Sequence, residues 1–342
     1  NNHLAGGEPI RGIEQGRLYL TYSPSASHTQ FLTTAFKGFI FPILMNAPEY
    51  NEPIENFLDV PDGKIHYLDW GGTGFQAHLL HANGFCAGTY SPFVKHLTGD
   101  LHIMASDIRG HGGSQLAGSQ RIRHWNIFVE DLKALIEKTM SPPIIGMGHS
   151  LGAVTTYMAA ARYPDLFARL ILIDPTILPR RFLWSMAVMR RFGLAGIIPL
   201  AKIARRRKKT FQSKKEALKR FASGRGIFKY WSKDFVEAYL ECGLLEKDPE
   251  TAVLKCDPEH EAQIFESVPL DVWTYAPKIS CPVLAIRGEH SDAFTVDAAK
   301  RLGRLIPDFE LVTIPGTGHF VPMGKPVECA RAIIGFIHRK HV

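Results

Sequence analysis

Cysteine is scarce in this chain and poorly arranged for cross-linking. Cys86, Cys242, Cys256, Cys281 and Cys329 are scattered, odd in number and never in C-x-x-C spacing. That speaks against a disulfide framework or a structural zinc site and for a reducing compartment. Cys86 reads as an inert packed thiol, with a place in the pocket lining as the alternative. Long apolar runs are also missing. The most apolar early stretch, residues 31–45, is too short to span a bilayer and contains Lys37 and Pro42. No early segment has the basic, apolar, small-residue order of a secretory signal. No H-E-x-x-H or cluster of ligand spacing occurs, so no metal is expected. Gly146-Met147-Gly148 is followed by Gly152, one residue too late for a dinucleotide-binding G-x-G-x-x-G, so no cofactor is expected either.

What is present suits one large α/β domain carrying an insertion. Of 342 residues, 45% are hydrophobic and 21% charged, ample material for a core. The net charge of +7 is uneven. Residues 176–230 hold 16 Lys or Arg against one acid, Glu216, leaving 24 bases against 32 acids elsewhere. Basicity is therefore a property of one segment. Net charge alone would allow nucleic-acid binding, but no recognised binding module accompanies it, and none is expected.

Residues 1–54 show no clean periodicity and read as an extension wrapping the domain, with 31–45 packing on it or touching a membrane. From Phe57 the pattern sharpens. Two short strands flank a Pro61-Asp62-Gly63 turn, and further strands are expected at 77–81, 101–106 and 170–173. Ile127, Phe128, Leu132, Leu135 and Ile136 have helical spacing. Residues 176–270 read as several helices without a convincing strand, with helix starts at Ser213 and Asp257-Pro258. Strands return at 282–287 and 309–314, around a helix at 296–305, and a last helix follows Pro326. The expected plan is an extension at 1–54, a parallel-sheet core from 55–175 and 271–342, and a helical cap at 176–270.

The centre of this plan is Gly148-His149-Ser150-Leu151-Gly152, placed between an apolar strand and a good helix former. Such a Gly-x-Ser-x-Gly turn holds its serine in a strained conformation, and glycines let strand and helix approach. Ser150 then stands beside the amides of a helix N-terminus, where an oxyanion can be held. A serine hydroxyl needs a base, and the base an orienting acid. His319, in Pro315-Gly316-Thr317-Gly318-His319, follows the last strand, and Asp292 follows the one before. Asp292 is the expected acid. Asp174, also at a strand end, is its rival, and Glu289 a weaker one; Asp174-Pro175 reads instead as the exit into the insertion. The expected oxyanion donors are the amides of Leu151 and Phe85, with Gly84 letting the Phe85 backbone approach the substrate.

Together these pieces resemble the α/β-hydrolase superfamily. The likeness rests on His81 to Phe85, the run Asp107-Ile108-Arg109-Gly110-His111-Gly112-Gly113-Ser114, the Ser150 turn and the Asp292 and His319 loops, across residues 57–175 and 270–342. It implies an eight-stranded, mostly parallel sheet with a lid and ester hydrolysis without a cofactor. One departure is His81-Ala82 where many members have His-Gly. The insertion more weakly resembles the lids of lipase-like and lysophospholipase-like members.

The expected function is a serine hydrolase cleaving a carboxylic ester with an apolar acyl part, a lipid being one candidate. A thioesterase, lactonase, carbon–carbon bond hydrolase or acyltransferase on the same fold stands as the alternative, and a non-catalytic membrane-associated binding protein as another. Residues 202–209 carry the densest basic run, with Lys214, Lys215, Lys219 and Arg220 after it, just downstream of an apolar stretch from Phe182 to Phe192. A solvated helix face competes there with attraction to an anionic membrane or substrate. The expected location is cytoplasmic, with peripheral membrane association as the variant.

Overall fold

Short apolar runs bounded by turn residues become the eight strands of one sheet. They are β1 (Ile54–Val60), β2 (Gly63–Asp69), β3 (Phe75–Leu80), β4 (Leu101–Ser106), β5 (Ile144–His149), β6 (Phe167–Ile173), β7 (Val283–Gly288) and β8 (Phe309–Ile314). Their spatial order is β8-β7-β6-β5-β3-β4-β2-β1. β2 runs antiparallel to β1 and β4, and every other pairing is parallel. The expected eight-stranded, mostly parallel α/β-hydrolase sheet is what forms. The computed structural model describes residues 12–14, 17–19, 52–116, 121–224 and 226–339. The chain divides into two compact units, 1–46 and 47–342. In the first, Gly12–Glu14 pairs antiparallel with Arg17–Tyr19. The apolar stretch 31–45 and the wrapping expected of 1–54 lie outside the described residues, apart from those two strands and residues 52–54.

Central strands are apolar on both faces because helices cover both. Leu170 and Leu172 pack into one core cluster and Ile171 and Ile173 into the other, following the two-residue period of a strand. On the first face lie α1 (Asn126–Thr139), α2 (Leu151–Arg162) and α8 (Val296–Leu305); on the second lies α9 (Pro326–Ile337).

The segment between β6 and β7 forms a cap of α3 (Arg180–Arg191), α4 (Pro199–Arg205), α5 (Lys214–Phe221), α6 (Lys233–Gly243) and α7 (Pro258–Glu266). Both anticipated helix starts form: the Ser213 hydroxyl accepts the Glu216 amide at 3.1 Å, and Asp257 accepts that of Glu259 at 2.8 Å. The expectation of a strandless insertion is corrected. Leu244–Asp248, Thr251–Leu254 and Thr210–Phe211 form a small antiparallel sheet. One of these strands is two residues long and another is exposed at four of its five positions, so neither shows alternation in sequence.

Cysteine requires a second correction. Cys86 is not a free packed thiol but is disulfide-bonded to Cys242, at the end of α6 and 156 residues away, with the Cα atoms 6.3 Å apart. The bond fastens the loop after β3 to the cap. Cys256, Cys281 and Cys329 are free.

Candidate active site

Ser150 sits between β5 and α2 with φ 56° and ψ −115°, a conformation non-glycine residues rarely adopt. The tight turn depends on its flanking glycines. A Cβ on Gly148 would lie 2.4 Å from the Gly152 backbone, and one on Gly152 would lie 2.0 Å from the Leu80 carbonyl oxygen. The α2 N-terminus is thereby pressed against the end of β3. The Val154 amide donates to the Ser150 carbonyl, so the amides of Leu151, Gly152 and Ala153 precede the first intrahelical bond.

His319 reaches this serine from the loop after β8. Its Nε2 lies 2.9 Å from Ser150 Oγ and its Nδ1 lies 2.8 Å from Asp174 Oδ1. An ionised carboxylate only accepts, so Nδ1 carries the proton and Nε2 presents its lone pair to the serine hydroxyl. The Thr176 hydroxyl lies 3.0 Å from Ser150 Oγ on another side.

The carboxylate that meets His319 is Asp174 and not the expected Asp292; it lies at the end of β6, the strand directly beside that of Ser150. Asp174 is fully buried, has φ 41°, and accepts from His319, from the Ser291 hydroxyl and, at 2.8 Å, from the Gly288 amide. Asp292 is exposed, and its neighbour Ser291 turns inward instead. Glu289 accepts the Gly316 amide at 2.9 Å and so braces the His319 loop.

Leu151 lies where expected, at the first position of α2. Phe85 does not present its amide as expected: that N–H closes a turn onto the Ala82 carbonyl at 3.2 Å. The Gly84 amide is likewise engaged, donating to His111 Nε2 at 3.0 Å. Asn83 N–H has no acceptor among the described residues. Phe85 contributes its ring. Together with Trp231 and Tyr239 of the cap and Phe320 beside His319, it forms an aromatic wall with centroid separations of 5.4 to 5.7 Å from Phe85.

Two buried networks that sequence reading missed hold these loops. The Ala82 amide donates to the Tyr90 hydroxyl at 3.1 Å, and that hydroxyl lies 2.7 Å from His149 Nδ1. His149 Nε2 lies 2.9 Å from the His319 carbonyl oxygen, an acceptor only, so Nε2 carries the proton and Nδ1 accepts from Tyr90. Burial, followed by repulsion from His319, pushes the His149 imidazole down to about 3, so it stays neutral and keeps this orientation. The only sequence signal was its place inside the serine turn. In the second network, Asp107 takes the amides of Ala87 and Gly113 and the His66 imidazole at 2.7 to 2.8 Å. Arg109 forks onto Asp131 at 2.6 and 2.8 Å. The Asp107–Ser114 run is thus a clamp on the loop after β3.

Comparison with known proteins agrees with this architecture. A model of the alpha/beta hydrolase family matches residues 79–332. The chain is 27% identical over 266 residues to 2-(acetamidomethylene)succinate hydrolase of Mesorhizobium japonicum, covering 78% of this chain and 89% of that one. A crystal structure of E-2-(acetamidomethylene)succinate hydrolase superposes with TM-score 0.67 at 24% identity, covering 84% of this chain and all of the other. An esterase of Mycobacterium tuberculosis superposes with TM-score 0.64 at 20% identity, covering 84% and 92%. Those two likenesses establish the shared fold. With its sheet order, its serine turn and a family match across most of its length, the chain belongs to the alpha/beta hydrolase family.

Proposed function

We propose that the protein is a serine hydrolase cleaving a carboxylic ester with an apolar acyl group. The observation that carries this reading is the contact of Ser150 Oγ with His319 Nε2 at 2.9 Å, with Asp174 on the far nitrogen at 2.8 Å. His319 takes the Ser150 proton as the oxygen attacks the carbonyl carbon, and Asp174 holds the imidazolium that forms. The tetrahedral oxyanion is received by the Leu151 amide at the positive end of α2 and by the Asn83 amide from the loop pressed against it. Collapse expels the alcohol, which takes the proton from His319. Water then attacks the acyl-serine, giving its proton to His319, and the acid is released as the proton returns to Ser150.

Phe320 supports an apolar acyl group, because its half-buried ring lies 5.1 Å from that of His319, with Phe85 and Trp231 packed against it. The named activity of the Mesorhizobium relative supports hydrolysis as the reaction class. The test is Ser150→Ala assayed on p-nitrophenyl esters of graded acyl length. Loss of turnover on every ester, with wild-type turnover on at least one, is expected; retained hydrolysis by the variant overturns the assignment.

A further inference from the structure

The cations of the cap divide into two classes. Arg205 pairs with Glu259 and Glu266, Lys208 with Glu216, Lys209 with Asp257 and Lys214 with Glu241. Those charges are neutralised within the cap. Around α3 and α4 the situation is reversed: Arg180, Arg181, Arg191, Lys202 and Arg206 are exposed and have no carboxylate partner among the described residues.

Between these free cations lies an apolar surface. α3 buries Leu183 and Met186 but presents Trp184 at 72% exposure and Val188 at 36%, with Phe192 at 71% just beyond its end. Arg181, Trp184, Val188 and Phe192 follow positions i, i+3, i+7 and i+11, one stripe along the helix. α4 buries Ala201 and Ala204 and presents Leu200 at 52% and Ile203 at 62%, with Arg206 following at the same spacing. The short turn Ala195–Ile197 links the two helices and exposes Ile197. Isolated exposed apolar residues need no explanation, but a run of large side chains on consecutive elements does.

We infer that the outer face of α3 and α4 is a docking surface for an anionic phospholipid bilayer. Its chemistry has the two parts that such a surface requires. Trp184, Phe192, Leu200 and Ile203 supply apolar area for the boundary between headgroups and acyl chains, and the unpaired arginines meet lipid phosphates and carboxylates beside them. An aromatic ring flanked by arginines is suited to that depth, and Arg181 already lies 5.1 Å from the Phe182 ring centroid. Among the described residues no helix is long and apolar enough to cross a membrane. The inference does not depend on Ser150 being a nucleophile.

The test is sedimentation of the full chain with phosphatidylcholine vesicles, with and without phosphatidylserine. Binding to the phosphatidylserine vesicles is expected, weakening as salt is raised. Trp184→Ser with Phe192→Ser should weaken it about tenfold or more. Arg180→Gln with Arg181→Gln and Arg191→Gln should remove the preference for anionic lipid. Brominated phospholipid should quench part of the wild-type tryptophan emission, and that quenching should vanish in Trp184→Phe, a reading that requires no loss of binding. Failure to sediment, equal binding to neutral vesicles, or binding indifferent to the Trp184 and Phe192 substitutions would overturn the inference. So would light scattering showing that the double variant splits a dimer while neither form meets vesicles, because the face would then join two copies of the chain.

Discussion

Asp174 illustrates how much a single carboxylate's surroundings determine. Its oxygens receive the His319 imidazole, the Ser291 hydroxyl and the Gly288 amide, so it is held as an acceptor with one geometry. Removing its charge leaves His319 without a partner that fixes its tautomer. Asp174→Asn is therefore expected to lower kcat by about 10⁴ on any ester the wild type turns over, while Asp292→Asn changes it little. The reverse order of effects would return the acid role to the β7 loop. The meeting of Ser150 with His319 was legible in sequence because each sits in a short motif at a strand end. The carboxylate beside His319 was not: Asp174 and Asp292 both follow strands, and only the bend that turns Ser291 inward separates them. Phe85 failed as a donor for a similar reason, since the direction of one amide depends on whether the loop closes on Ala82. Thr176 and Tyr90 carried no signal, because their contacts cross 26 and 59 residues of sequence.

At the scale of elements, the loop after β3 is held from four sides. His111 takes its Gly84 amide, Asp107 its Ala87 amide, Tyr90 its Ala82 amide, and Cys86 binds it covalently to α6. These ties fix the amides beside Ser150 and couple them to the cap. Cys242→Ser releases the covalent tie and should lower unfolding free energy by about 2–4 kcal/mol, measured by denaturant titration under oxidising conditions. Wild type treated with dithiothreitol should match the variant, and no difference among the three would contradict the cross-link. The cysteine spacing concealed this pair because residues 86 and 242 meet only when the cap folds over the sheet. Strands of the core were legible as short apolar runs bounded by turn residues, as in Leu170 to Ile173, and its helices by a 3.6-residue period, as in Ile127 to Ile136. The cap's three short strands have too few residues to display a period.

Taken whole, the molecule buries several imidazoles that no charge partner keeps protonated. His78, His111 and His149 are each pushed down to about 3, first by burial and then by repulsion from a neighbouring histidine. Their folded values lie below the ordinary value of 6.5, so the neutral form belongs to the fold. Stability from this source is full above pH 6.5 and falls as the pH drops towards 3, because the unfolded chain takes up the protons. Each imidazole contributes a slope of about 1.4 kcal/mol per pH unit in that window. Denaturant titrations from pH 7 to pH 4 should show this decline, and a flat profile would contradict the buried neutral assignment. The same burial keeps His149 bridging Tyr90 and the His319 backbone, so the scaffold that is sensitive to acid is also the one that positions the site. The most direct test of the activated serine is a fluorophosphonate probe followed by peptide mass spectrometry. A single adduct on the peptide containing Ser150, abolished in Ser150→Ala, is the expected result; an unlabelled wild-type protein, or an adduct on another residue, would contradict the account.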